Sequence, residues 1–378
     1  MLEIINLKTE AFGLDICDLS LKIVKLKKRG RALTLASFGE TEIRPGIIKD
    51  GEIKDEKKLA EIIKKAVKSV NGEKLKTKHV VVSLLEEKAF LQVIQMPKMA
   101  EEDLKSAIIY EAENYIPLPV EEVYLDFQVI EPLQDHLDHQ DVLIVALPKK
   151  IVDSYVNSLK MAGLQPVAFE IESQSIARAL IKNEIAPRPV LIIDLGQTRS
   201  NFIIFSGTCA RFTSSVPVSS QLFTQAIAKN LGITYAEAEK LKIDYGLEEK
   251  TVVELEGGGT EERKYKGRVF EALVPSLVDL VQQIKRHQDY YRTYASHEHL
   301  PPDNKGIASS ILLCGGGANL KGLSEILLLE LRNPVELGNP WVNVFPEGKK
   351  GTTGLSFEKS LSYATAIGLA IRGVRENK

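Results

Sequence analysis

Cysteine is nearly absent: the 378 residues hold three, Cys17, Cys209 and Cys314, widely spaced and without a CxxC pair. That argues against a disulfide framework or a thiolate zinc site and predicts buried, reduced thiols in a reducing cytosol. Long apolar runs are lacking too. Those at 190–193 and 310–314 fall far short of the roughly 20 residues that span a bilayer. The opening MLEIINLKTEAFGLDI has no basic-then-apolar order and no small-residue cleavage site, so no signal peptide is expected. Nor does one sign of charge dominate: 49 basic and 51 acidic residues give −2. This balance predicts no electrostatic footprint for nucleic acid or an acidic membrane. What remains is an ordinary globular composition, 44% hydrophobic and 26% charged. The chain is long enough for two or three domain-sized cores. A soluble, cytoplasmic protein is expected.

A strand ending in an acidic residue beside a tight turn occurs twice. Residues 11–28, AFGLDICDLSLKIVKLKK, and 189–207, PVLIIDLGQTRSNFIIFSG, each read as a β-hairpin. Asp15 and Asp194 stand at matched positions, an echo that implies two related halves. Between the hairpins, Leu59, Ile62, Ile63, Ala66, Val67 and Val70 follow helical spacing. Strands are then expected over 79–85 and 89–96, followed by a helix over 100–115 with Leu104, Ala107, Ile108, Ala112 and Tyr115 on one face. Strands over 123–130 and 141–146 and a helix over 149–162, closed by Gly163, complete a strand–helix–strand–strand module. Further helices are expected over 172–183, 221–230 and 235–243, the last opened by a capping box of Thr234 and Glu237. A long helix over 268–296, a strand into Gly315, Gly316 and Gly317, and a final helix over 357–372 follow.

A nucleotide's phosphates need backbone N–H donors in a tight turn, hydroxyl donors, and carboxylates for the Mg²⁺ shell. The second hairpin turn offers all three: Gly196 for close approach, Thr198 and Ser200 as hydroxyl donors, and Asp194 to hold a metal-bound water. The run Gly315–Gly316–Gly317 would let a base or ribose approach closely. Singly these are common turns; together, in this order, they point to nucleotide binding.

The order resembles the actin/Hsp70/sugar-kinase superfamily: first phosphate hairpin, second phosphate hairpin, adenosine loop. ITYAEAEKLKIDYG resembles the adenosine-site helix of the FtsA and PilM families, and EAENYIPLPVEEVYLDFQV, PVELGNPW and SYATAIGLAIR resemble the PilM family over essentially the whole chain. The resemblance implies an α/β, actin/Hsp70-like two-domain fold with an inserted SHS2-type subdomain. By that reading the first core half is 1–77 with 165–188, joined by the last helix, 361–378. The insertion is 78–164, the second half 189–230 with 307–360, and its outer subdomain 231–306. The cofactors implied are ATP and Mg²⁺, between the hairpins. Contacts would come from Asp15, Asp18, Ser20 and Lys22, then Asp194, Gly196, Gln197, Thr198 and Ser200. Glu239, Lys242, Gly315, Gly316, Gly317 and Asn319 complete the set. Asp15 and Asp194 would hold the metal through water, and Gln174 is the positional match for a residue that orients water. The first turn departs from the pattern: Cys17 stands where glycine is expected, and Asp18 would lie on Mg²⁺ or repel a γ-phosphate. ATP binding with weak hydrolysis follows.

The partner implied is the N-terminal tail of a PilN-like inner-membrane protein, alongside other pilus platform components. The tail would lie in a groove beside the insertion. The resemblance places the protein at the inner face of the cytoplasmic membrane through that partner, without inserting into it and without binding nucleic acid; a homo-oligomer stays open. Two alternatives compete. An FtsA-like division protein would carry a membrane helix past the last core helix, where this chain reads only 373–378. A small-molecule kinase would need a substrate-facing general base, for which no residue stands out. Asp135, His136, Asp138, His139 and Asp141 read as a solvated loop rather than a metal cluster. Tyr290, Tyr291 and Tyr294 with Arg286 and Arg292 read as helix packing rather than an RNA-stacking stripe. Gly257–Gly258–Gly259 reads as a loop, and Lys57, Lys58, Lys64 and Lys65 as a solvated helix face.

Overall fold

A computed structural model describes residues 10–30, 32–133, 138–247, 260–296, 299–300, 306–345 and 354–375. The chain forms two compact units: 1–187, 205–213 and 339–378, and 188–204 with 214–338. Asp135, His136 and the Gly257–Gly259 run lie outside the described residues.

The first unit opens with β1 (Ala11–Ile16), β2 (Ser20–Arg29) and β3 (Ala32–Glu42), then the short β4 (Ile48–Lys49) and β5 (Glu52–Ile53), α1 (Glu56–Lys68), β6 (Asn71–Gly72) and β7 (His79–Leu84). The segment β8 (Phe90–Pro97), α2 (Glu101–Ala112), β9 (Val123–Val129) and β10 (His139–Pro148) follows, then α3 (Lys149–Ala162), β11 (Gln165–Ile171) and α4 (Glu172–Leu180). The chain continues through β12 (Ala186–Leu195), β13 (Ser200–Gly207), β14 (Cys209–Val216), α5 (Ser220–Leu231), α6 (Tyr235–Tyr245), α7 (Thr260–Tyr294), β15 (Ser310–Cys314), α8 (Leu323–Leu331) and β16 (Val335–Leu337); of these, residues 186–187 and 205–213 count with the first unit and the rest with the second. The chain then returns to the first unit for α9 (Phe357–Leu361) and α10 (Ala364–Arg375).

Six strands in the order β11-β7-β1-β2-β3-β6 make the first unit's main sheet. β1 runs parallel to β7 and antiparallel to β2. Side chains alternate across a strand, and β1 uses both faces. Phe12, Leu14 and Ile16 pack with Leu59 and Ile63 of α1 and Val152, Tyr155 and Leu159 of α3. Ala11 and Gly13 turn toward α10, whose residues 364–371 are all buried. Small residues are required there. A Cβ on Gly13 would stand 2.4 Å from the Ala366 carbonyl oxygen, and one on Gly368 would stand 1.8 Å from that of Ser175 in α4.

A separate three-stranded antiparallel sheet, β8-β10-β9, carries α2 on one face. Leu104, Ile108 and Ala112 pack there against Val142, Ile144 and Ala146. Tyr115, expected on that face, is 51% exposed: α2 ends at Ala112, so the helical spacing no longer directs it inward. The opposite face presents Leu143 and Val145 to Cys209 and Ile130. The expected insertion, 78–164, takes in more than this sheet. β7 lies inside the six-stranded sheet between β1 and β11, and α3 packs in the α1 core.

A five-stranded sheet runs β14-β13-β12-β15-β16, with β12, β15 and β16 parallel. α7 starts at Thr260, eight residues before the expected helix, in a charged stretch of good helix formers. Residues after Asn339, expected in this half to 360, belong to the first unit. Trp341, Val344 and Leu355 join a core with Val24, Leu26 and Tyr363. Among the described residues, no helix is long and apolar enough to cross a membrane.

Candidate functional site

In the first unit the β1–β2 turn gathers polar groups at the sheet end. Asp15 is 3% exposed. Its Oδ1 accepts from the Ser83 hydroxyl at 2.8 Å and from the Cys17 thiol at 3.6 Å. The same thiol lies 3.8 Å from Oε1 of Glu172, the first residue of α4. Asp15, Cys17 and Glu172 present ligand atoms within 4.8 Å of one another. Glu172 was not among the sequence-derived candidates; a carboxylate opening the helix after β11 was its only signal. Gln174, the expected water-orienting residue, instead lines a cavity described below.

Asp18 is committed to the fold. Its two carboxylate oxygens accept from the backbone N–H groups of Asp50 and Gly51, both at 3.0 Å. Both residues have positive φ, 50° and 75°, in the tight turn joining β4 to β5, and the Tyr155 hydroxyl donates to the Gly51 carbonyl at 3.2 Å. Burial, and then the negative charge nearby, pushes the Tyr155 phenol well up. Ser20 accepts from Lys22 at 3.0 Å.

Glu172 and Glu86 form a reciprocal clasp. Glu172 Oε2 accepts from the Glu86 backbone N–H at 3.3 Å, and Glu86 Oε2 accepts from that of Ser173 at 3.1 Å. Burial raises the Glu86 carboxyl above its ordinary 4.5. A group raised in the folded state stabilises fully below its unfolded pKa and loses that contribution as pH rises through the folded value. Glu86→Gln keeps an acceptor for Ser173 and removes the ionisation. Thermal melts should show a flatter fall in stability from pH 4.5 upward, with neutral-pH stability equal or higher by about 1 kcal/mol. A steeper fall would contradict this account of Glu86.

In the second unit, half-buried Asp194 closes β12 and accepts from the Cys314 thiol at 3.8 Å. Burial and Asp194 together raise that thiol well above its usual range. The turn at Gly196 and Gln197 feeds α5: their carbonyls accept from the backbone N–H groups of Ser220 and Gln221 at 3.0 and 3.1 Å. Thr198 is half-buried and Gln197 exposed. Ser200, expected to meet phosphate, is fully buried and donates to the Val218 carbonyl at 2.6 Å.

The three glycines divide their roles. Gly315 has φ 82°, and a Cβ there would stand 2.4 Å from Asp194 Oδ1; one on Gly317 would stand 3.0 Å from Leu195 Cβ. Gly316 between them is exposed, and Asn319 donates to its carbonyl at 3.4 Å. Lys242 is buried, its ammonium shared by the Ser220 carbonyl and hydroxyl, Thr224 Oγ1 and Glu239, at 2.8–3.1 Å. Burial lowers its pKa, and Glu239 opposes that. Lys242 therefore ties α6 to the start of α5, while Glu239 keeps a side chain 38% exposed.

A cavity of about 690 Å³ lies in the first unit beside the three-stranded sheet. Its walls are Tyr124, Leu125, Asp126, Phe127 and Gln128 of β9, Leu143 and Val145 of β10, Val152 and Val156 of α3, the β11–α4 junction, and Thr208–Ala210. Alternate residues of a strand face opposite ways, so five consecutive wall residues mean that the backbone edge of β9 borders the space. β9 is an edge strand of its sheet, and β11 of the other. A buried network sets one wall: Glu170 accepts from Arg178 at 2.5 and 2.6 Å, Ser175 at 2.8 Å and Arg372 at 3.2 Å. Burial alone would raise Glu170, but Arg178 and Arg372 prevail and hold it below its usual value.

The two sheets with their helical layers define a mixed α/β protein of the actin-like class. MreB5 of Spiroplasma citri, solved with AMPPNP, aligns over 97% of each chain with a TM-score of 0.56 at 14% identity, a likeness of fold alone. FtsA of Escherichia coli K12 is 22% identical over 241 residues, 60% of this chain and 54% of its own length; the chain thus spans about half of that relative. The family model described as type IV pilus assembly protein PilM matches residues 13–374, and the chain belongs to that family. A solved PilM-PilN type IV pilus biogenesis complex aligns over 97% of this chain and 99% of the other, with a TM-score of 0.75 at 28% identity.

Proposed function

We propose that this protein is an ATP-binding, actin-like adaptor of a type IV pilus assembly platform that captures the N-terminal tail of a PilN-like inner-membrane protein. The β9 edge along the cavity carries the reading. An extended peptide there gains main-chain hydrogen bonds from a free strand edge, while Leu143, Val145 and Val156 offer apolar contact to its side chains. The three-stranded unit with α2 is the SHS2-type insertion, confined to about 86–148 rather than 78–164. The protein would sit at the inner face of the membrane through its partner.

The residues fit a nucleotide in part. Asp194, the Gln197–Thr198 turn, open Gly316 and half-exposed Glu239 could meet ATP–Mg²⁺ from the second unit, whereas Ser200 and Lys242 serve the fold. The first unit has its own carboxylate pair, Asp15 and Glu172, which could hold a metal's water shell, with Glu172 rather than Gln174 orienting water. Mg²⁺, when bound, neutralises phosphate charge. Asp15 and Glu172 are held by Ser83, Cys17 and the Glu86 backbone, which fixes the positions of both carboxylates.

In titration calorimetry, Asp194→Ala should weaken Mg²⁺-dependent ATP binding by about tenfold, the loss of one charge-assisted anchor. Gly316→Val should weaken it with or without metal. Unchanged ATP affinity in both variants would overturn the nucleotide assignment. Titration with a PilN-type tail peptide tests capture independently.

A further inference from the structure

The chain's −2 conceals a strong asymmetry. Residues 54–78 and 149–163 hold twelve lysines, no arginine and five acids, a net +7, so the rest of the chain carries −9. These segments are α1, α3 and the run that joins α1 to β7. Both helices sink their apolar sides into one core through Leu59, Ile63, Val152 and Leu159. Lys78 accepts a backbone hydrogen bond from Gln165 just after α3, drawing the connecting run toward the same layer. Lys57, Lys58, Lys64, Lys65 and Lys68 of α1 are all exposed, as are Lys150 and Lys160 of α3. Two of the lysines are paired, Lys58 with Asp55 at 2.9 Å and Lys54 with Glu52 at 2.5 Å, while Glu73 pairs with Lys27 from outside the layer and Asp153 accepts from Tyr124 at 3.0 Å.

We propose that this lysine face adsorbs to an anionic lipid bilayer. Lysine without arginine suits hydrated, point-charge attraction to a headgroup layer and lacks the bidentate forks that read nucleic-acid phosphates. The layer also contributes no exposed aromatic side chain on which a base could stack. Position adds to charge: α3 turns Val152 and Val156 into the cavity and Lys150 and Lys160 to water. Lys149, over the Tyr124 ring at 5.7 Å, stands at that boundary. A tail descending from a membrane protein would enter beside a surface already drawn to the bilayer. The choice of a bilayer over another polyanion rests on the tail-capture reading; the charge layer itself does not.

The test is co-sedimentation of the full chain with phosphatidylglycerol-containing vesicles and with pure phosphatidylcholine vesicles, at low and high salt. The comparison is Lys64→Glu/Lys65→Glu/Lys68→Glu, three exposed changes. Wild type should partition onto the anionic vesicles alone and leave them at high salt. Each basic residue near such a surface is worth roughly fivefold in partition, so the triple reversal should cost at least about 100-fold. Tail-peptide affinity in solution should stay unchanged, which separates lost adsorption from lost folding. Equal partition onto both lipids, no partition at all, or an unaffected triple variant would overturn the proposal. Tighter capture of duplex DNA than of vesicles at equal phosphate would reassign the face to nucleic acid. If the tail peptide fails to bind while anionic vesicles still do, the capture reading falls and the lysine face stands.

Discussion

Gly368→Ala should destabilise the protein by at least about 3 kcal/mol, at or beyond the upper range for an overpacked core. The added methyl would lie 1.8 Å from the Ser175 carbonyl oxygen and 2.5 Å from its carbon. Both belong to α4 backbone, so no side-chain rotation relieves the clash; α10 and α4 must move apart. That seam also supports Glu172 at the start of α4 and the Glu170 network. Gly267→Ala in α7 is the control: nothing lies within 4 Å of a Cβ there, and helix propensity predicts a gain of up to about 1 kcal/mol. Urea unfolding of the two variants against wild type reads the difference. A loss below about 1 kcal/mol at Gly368 would mean that α10 packs less tightly than described.

Gln174→Trp should reduce affinity for a PilN-type tail peptide by about 100-fold, close to 3 kcal/mol. The side chain lies on the cavity wall, half-buried, and is not part of the Glu170–Arg178–Arg372 network. An indole there fills space that the tail needs. ATP affinity should not change, because Gln174 is not among the groups around Asp15. A shift in ATP affinity with tail binding intact would return Gln174 to the nucleotide and leave the cavity without a role.

Much of this was legible in the sequence where periodicity is strict. β1 and β12, each a short apolar run leading to an aspartate and a turn, could be read from the local pattern. So could the insertion, its strands from short apolar runs and α2 from helical spacing. The Thr234–Glu237 capping box stands as expected, with the hydroxyl accepting from the Glu237 amide and the carboxylate from that of Thr234. Long-range placement was not legible. Nothing local in 339–345 says that Trp341 packs against Val24 rather than in the half it follows. β7 reads like any apolar strand, and only its pairing with β1 and β11 puts it in the main sheet.

The site was legible by residue type and less so by role. Ser200, Lys242 and Asp18 are hydroxyl, ammonium and carboxylate at plausible positions, yet each spends its hydrogen bonds on backbone or neighbours within the fold. Composition cannot show which partner a polar group has found, and buried polar groups almost always find one. The cavity had no sequence signal, because its walls come from β9, β10, α3, α4 and β14. Net charge likewise averaged away the lysine layer.

Tail capture by strand addition is the central claim, and backbone hydrogen exchange of β9 tests it most directly. With a saturating PilN-type tail peptide, amides of Leu125–Gln128 that face the cavity should slow markedly, while those paired with β10 change little. That alternation is the mark of a new ladder on a free edge. A peptide that binds at full affinity and leaves every β9 amide exchanging as before would contradict it.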